Sequence, residues 1–193
     1  MTGKERYVLT GGPGSGKTTV LHLLEVRGYA CVPEVARKVI QTRISQGLAP
    51  RPDAAEFGRE ILAADMAQYD SCSDNGRPTF FDRGIGDALG MLYECGATDI
   101  HTAEEYLRIR PYNRTVFLFS PWEAMYSTDA ERDQTFSDSV AIAERLETWY
   151  GRLGYSTVRV PLGSPGERLD FILDTIRAAR QADASKHDVP GAS

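Results

Sequence analysis

Two glycines, a lysine and a threonine at one fixed spacing are the chain's most chemically telling residues: Gly11, Gly16, Lys17 and Thr18, in the run GGPGSGKT. A glycine-rich backbone can turn its N–H groups inward around an anion. The adjoining lysine supplies a point charge for the outer phosphates of a nucleotide, and a hydroxyl one residue later suits a magnesium ion. The expected nucleotide-binding set is Gly12, Pro13, Gly14, Ser15, Gly16, Lys17, Thr18 and Thr19, with Thr19 at the α-phosphate.

Two further pairs extend the chemistry. Asp82 closes the run TFF at 79–81 and is followed by Arg83 and Gly84. Beside a phosphate loop, an aspartate at a strand end holds magnesium directly or through water, so Thr18 and Asp82 are the expected metal-side residues. Glu34 follows a second β-rich run, ACVP at 30–33, and Arg37 lies one helical turn later. At the carboxyl edge of a parallel sheet a carboxylate can take the proton of an acceptor hydroxyl, and a guanidinium can grip an anionic acceptor with two parallel bonds. Either Glu34 or Asp82 suits the base. Arg132 is the single arginine of the polar stretch STDAERDQTF. An arginine that swings over a phosphoryl group in transfer contributes roughly 10³ to 10⁵ in rate. The expected catalytic set is Lys17, Glu34, Asp82, Arg83 and Arg132, with Glu34, Arg37 and Arg83 on the acceptor side.

Bringing these residues together requires strands whose carboxyl ends meet at one edge. Short β-rich runs fall at 7–10, 30–33, 79–82, 115–119 and 157–161, with helical patterns between them. That alternation predicts an α/β sandwich of three layers around a five-stranded, mostly parallel sheet. Phe57, Ile61, Leu62, Met66 and Tyr69 recur in steps of three or four and predict a helix over 53–72. Helices are also expected over 17–27, ending at Gly28, from about Glu34, and over 85–95. Thr102 and Glu105 have the spacing of a capping box opening a shorter helix, and SPGE at 164–167 opens a last one with Pro165 in its first turn. Residues 121–137 are polar, lack a sustained period and are expected to form a lid. One domain over 1–181 accommodates all of this, and 182–193, with almost nothing to bury, is expected to be disordered.

Charge narrows the partners. With 22 Lys and Arg against 27 Asp and Glu the net charge is -5, so nucleic acid is an unexpected partner and a small molecule fits better. Arg108, Arg110 and Arg114 with Tyr106 and Tyr112 could track a phosphate strand, although a solvated basic face is the commoner role of such a cluster. Cys31, Cys72 and Cys95 are odd in number without CxxC spacing, which predicts buried free thiols. No run approaches the roughly 18 apolar residues of a membrane span and no apolar targeting segment opens the chain, so the expected location is the cytoplasm. There is no NKxD for guanine, and the DxxG at Asp87 to Gly90 falls inside a predicted helix. ATP is therefore the expected nucleotide.

The runs YVLTGGPGSGKTT, VPEVAR and ERDQTF resemble small bacterial stand-alone proteins of the AAA-like "predicted ATPase" family, over about residues 6–176. That family is similar to the kinase half of nicotinamide-riboside kinase and regulator proteins and, more distantly, to deoxynucleoside kinases. The segment Asp82-Arg83-Gly84 resembles the aspartate-arginine turn of thymidylate and deoxynucleoside kinases, whose arginine sits between donor and acceptor, and Glu34 stands where deoxynucleoside kinases carry a base glutamate. The resemblance implies strand order 2-3-1-4-5, ATP, magnesium and a small-molecule acceptor. It points to a phosphotransferase, with a nucleotide-driven regulatory ATPase as the alternative.

Overall fold

The computed structural model describes residues 5–73, 76–123 and 135–187, and strand and helix alternate from its first element. The elements are β1 (Arg6–Gly11), α1 (Lys17–Val26), β2 (Ala30–Val32), α2 (Ala36–Ser45), α3 (Ala54–Ser71), β3 (Thr79–Asp82), α4 (Ile85–Glu94), α5 (Ile100–Ile109), β4 (Thr115–Phe119), α6 (Phe136–Arg152), β5 (Ser156–Val160) and α7 (Pro165–His187). The strands form one five-stranded sheet in the order β2-β3-β1-β4-β5, and all four pairings are parallel.

Successive side chains of a strand face opposite sides of the sheet. Tyr7, Leu9 and Phe117 therefore meet Val20 and Leu24 of α1 and Ile172 of α7 on one face. Val8, Phe81 and Val116 meet Ile61, Leu89 and Tyr150 of α3, α4 and α6 on the other. Full burial of one such side chain contributes roughly 1.5–3 kcal/mol, so this packing holds the strand ends in place. Strands β2 and β3 are added on one side of β1 and β4 and β5 on the other, and at this switch the carboxyl ends of β1, β3 and β4 border a crevice.

Several local expectations change. Helix α5 starts at Ile100, not near Thr102: Asp99 caps it by accepting from the Thr102 N–H at 2.8 Å, while Glu105 pairs with Arg108 at 3.5 Å. The spacing of a capping box is also the i,i+3 spacing inside a helix, and here the aspartate upstream wins. Helix α2 begins at Ala36 with Val35 as its N-cap, which leaves Glu34 outside the helix. Helix α7 runs to His187, beyond the expected end of ordered chain at 181. Residues 181–185 are exposed, and Ala182 and Ala184 among them are good helix formers. Cys95 is exposed, unlike the expected buried thiol, because it lies one residue past the end of α4. Cys31 and Cys72 are half-buried and free. Among the described residues no helix is long and apolar enough to cross a membrane.

Candidate active site

Strand β1 ends at Gly11 and α1 begins at Lys17, so residues 12–16 carry the chain through the turn between them. Gly16 caps α1 at φ 82 without any side-chain capping bond. The first bond into the helix runs from the Val20 N–H to the Gly16 carbonyl at 3.3 Å, so the N–H groups of Lys17, Thr18 and Thr19 have no helical partner. A run of open N–H groups at the positive end of a helix is an anion site. The loop is braced from within and from outside. The Ser15 hydroxyl donates to the Gly12 carbonyl at 2.8 Å, and the buried Ser139 of α6 donates to the Pro13 carbonyl at 2.8 Å. The approach of α6 is so close that a Cβ on Gly12 would overlap the hydroxyl and carbonyl oxygens of Ser139.

Lys17 is buried, and its Nζ donates to the carbonyls of Gly11 at 3.1 Å and Gly12 at 2.9 Å and reaches Ser15 Oγ at 3.3 Å. Burial, helped by the charge of Arg83, lowers its pKa to about 8, against the pull of Asp82 and Glu34. The Thr18 hydroxyl donates to Asp82 Oδ2 at 2.9 Å. Asp82 is buried, and its Oδ1 has no hydrogen-bond partner. Burial raises its pKa, with Lys17 opposing. An orphaned carboxylate oxygen beside a hydroxyl is a fitting donor pair for a hard divalent ion. Among the described residues no group of three or more His, Cys, Asp or Glu could hold a metal ion.

Arg83 follows β3 in the left-handed region at φ 66, uncommon for a residue with a side chain. Its N–H continues the ladder to the Leu9 carbonyl at 2.9 Å while the side chain turns across the sheet edge. There Nε donates to Glu34 Oε1 at 2.9 Å and NH1 reaches Asp87 Oδ1 at 3.3 Å. Burial alone would raise the pKa of Glu34, but Arg83 and Lys17 overcome it and hold the carboxyl below its ordinary value. The structure thus brings Lys17, Thr18, Asp82, Arg83 and Glu34 to one edge of the sheet. Arg37 is exposed in the first turn of α2, and its charge adds to the field on Glu34. Arg132 lies outside the described residues, as does most of the expected lid.

Two acids were not expected at the site. Asp87, in the first turn of α4, accepts from the Thr10 hydroxyl at 2.5 Å and the Tyr150 hydroxyl at 2.6 Å in addition to Arg83. Asp65 lies on α3, 8% exposed, and makes no hydrogen bond among the described residues. Burial, with Asp87 and Glu34 adding repulsion and Arg83 opposing, lifts its pKa to about 8. The signal available in the sequence was an aspartate on the apolar stripe Ile61, Leu62, Tyr69 of α3. The basic cluster, by contrast, is consumed locally. Arg110 forks onto Asp70 at 2.8–3.1 Å, Arg114 lies 5.1 Å over the Tyr155 ring, and Tyr112 is buried.

An open hollow of about 600 Å³ lies beyond the ends of β4 and β5, lined by Pro121, Trp122, Glu123, Phe136 and Leu162. Another, of about 370 Å³, lies between α4 and α6 around Tyr93, Arg145 and Trp149, and shares no residue with the loop or the acids described above.

Comparison with known proteins agrees with this frame. A family model described as an AAA domain matches residues 6–168. A protein of Saccharophagus degradans (strain 2-40 / ATCC 43961 / DSM 17024) named "Nucleotide-binding protein" is 36% identical over 105 residues, 52% of this chain and 32% of that protein. The chain thus spans about a third of its length. Among solved structures, a deoxyadenosine kinase from M. mycoides with the products dCMP and dCDP bound superposes with a TM-score of 0.61 at 12% identity, covering 90% of this chain and 99% of that one. A shikimate kinase from Acinetobacter baumannii in complex with shikimate gives 0.55 at 16%, covering 92% and 96%. At these identities the likeness is one of fold: a kinase-like P-loop sandwich.

Proposed function

The chain belongs to the AAA domain family of P-loop nucleotide-binding proteins, and from that premise we propose that it transfers the γ-phosphoryl group of ATP, with magnesium, to a hydroxyl of a small acceptor. The observation that carries the reading is the Glu34–Arg83 pair, 2.9 Å apart, standing beside the Thr18–Asp82 pair at the same sheet edge. A nucleotide switch or a simple hydrolase has no need of an acceptor-side carboxylate held ionised by an arginine. The fold shared with a deoxyadenosine kinase and a shikimate kinase supports the same reading.

In this reading the N–H groups of the loop and Lys17 hold the β- and γ-phosphates. Thr18 and Asp82 would hold magnesium, which would offset the phosphate charge. Glu34 accepts the proton of the acceptor hydroxyl as its oxygen bonds to the γ-phosphorus. The bond from that phosphorus to the β–γ bridging oxygen breaks, ADP leaves, and the proton passes from Glu34 to water. Arg83 orients Glu34 and stands between donor and acceptor. Most of the rate comes from positioning and charge neutralisation. Asp82, committed to Thr18 and the metal side, is the weaker choice for the base. With Arg83 already held by two carboxylates, the crevice favours an uncharged hydroxyl compound over an anionic one. Asp65, kept protonated near neutral pH by its raised pKa, would exchange a hydrogen bond with a polar group of that compound. Trp122 and Phe136 in the hollow beyond β4 suit stacking on the nucleotide base.

The test is ATP with magnesium against pooled nucleosides, sugars and amino-alcohols beside their monophosphates, with mass detection of any product that gains a phosphoryl group. The reading expects a product from the uncharged pool. Phosphate release with no phosphorylated acceptor, at a rate indifferent to the pool, would instead make the protein a regulatory ATPase.

A further inference from the structure

Arg168 lies in the first turn of α7 and touches the phosphate loop from 153 residues away. It is 4% exposed. Its NH1 donates to the Ser15 carbonyl at 2.8 Å, and its guanidinium carbon lies 4.5 Å over the Phe119 ring. Its Nε and NH2 are buried without a hydrogen-bond partner. The neighbouring acid, Glu167, is turned the other way, accepting from the Ser164 N–H and hydroxyl at 2.8 Å each. Burial lowers the pKa of Arg168 and no carboxylate opposes it, yet a guanidinium stays protonated in proteins. The loop therefore rests on a buried positive charge with no counter-charge among the described residues, an arrangement that destabilises a protein.

The peptide joining Ser15 to Gly16 is trans, so its C=O and N–H point in opposite directions. By holding the Ser15 carbonyl toward itself, Arg168 fixes the Gly16 N–H on the opposite side of that peptide. Gly16 makes room for this: a Cβ there would lie 2.6 Å from Arg168 NH1, and its φ of 82 disfavours a side chain independently.

We propose that Arg168 is a positioning residue of the phosphate loop, fixing the Ser15–Gly16 peptide so that the Gly16 N–H meets the nucleotide phosphates, whose charge then compensates its own. The inference rests on phosphate binding by the loop and is independent of whether the phosphoryl group is transferred.

The experiment compares wild type, Arg168→Met and Arg168→Lys by calorimetric binding of ATP and of inorganic tripolyphosphate with magnesium, alongside thermal melting of the ligand-free proteins. Methionine fills similar space without charge, so ligand-free Arg168→Met should melt at or above the wild-type temperature while binding both ligands about 10- to 100-fold more weakly, as loss of a nearby charge and of one aimed donor requires. Lysine keeps the charge without the planar fork and should fall between. A purely structural role predicts the opposite pattern, a lowered melting temperature with unchanged affinities. Affinities of Arg168→Met within twofold of wild type overturn the proposal. If that variant does not fold, wild-type affinity in Arg168→Lys overturns it, and weakened affinity supports it.

Discussion

Replacing Asp65 by asparagine should make the protein more stable, and increasingly so as pH rises. The side chain is 8% exposed on α3, with Asp87, Glu34 and Arg83 acting on it, and its folded pKa is raised to about 8 from 3.8. A carboxyl whose folded pKa lies above its unfolded value stabilises the fold below the unfolded pKa. That contribution is lost as pH rises toward the folded pKa, because the folded chain keeps a proton that the unfolded chain releases. Between the two values the slope is about 1.4 kcal/mol per pH unit for one proton, so wild type should lose roughly 2.5 kcal/mol between pH 5 and pH 7 from this group alone. Asparagine has the same shape and cannot ionise. Urea denaturation of both proteins at pH 5, 6, 7 and 8 isolates the effect, since every other titrating group is common to both and cancels in the difference. The variant-minus-wild-type free energy of unfolding should climb steadily from pH 5 to pH 8. A difference flat across that range would refute the placement of Asp65 as a buried, unpartnered acid.

Further outcomes follow from the same geometry. Gly12→Ala should destabilise the protein by about 1–3 kcal/mol and weaken ATP binding, because the new methyl group meets Ser139; Ser139→Gly should not rescue it, since the carbonyl oxygen stays in place, and melting curves of the single and double variants decide this. Glu34→Gln should cut turnover of a phosphorylated acceptor by about 10²-fold or more while leaving ATP affinity within a few-fold, a split that steady-state kinetics and calorimetry read directly. ATP affinity should fall as pH rises through about 8, where ligand-free Lys17 loses its proton; Lys17→Arg, which keeps its charge, should shift that fall to higher pH.

Legibility in the sequence followed distance along the chain. The phosphate loop is contiguous, so its residue types and its place between strand and helix could be read together, and all five strands lie within a residue of the β-rich runs. Asp82 and Arg83 were legible because a strand end next to such a loop is a constrained position. What escaped was made by packing between distant segments: Ser139 and Arg168 reach the loop across 126 and 153 residues, and no local pattern marks either. Asp65 looked like one polar residue in a helical stripe, and only the meeting of α3 with α4 and the sheet edge makes it an isolated acid. Arg83 is expected between donor and acceptor, and its bond to Glu34 depends on a left-handed turn at φ 66 that no residue type announces.

The central claim, that the loop's nucleotide donates a phosphoryl group to an uncharged acceptor, is met most directly by one side-by-side reaction. Wild type and Lys17→Ala are incubated with γ-labelled ATP, magnesium and pooled unphosphorylated nucleosides, sugars and amino-alcohols, and the label is followed. The account predicts label on an acceptor with wild type and none with Lys17→Ala. Label appearing as inorganic phosphate alone, or equal labelling by the two proteins, would contradict it.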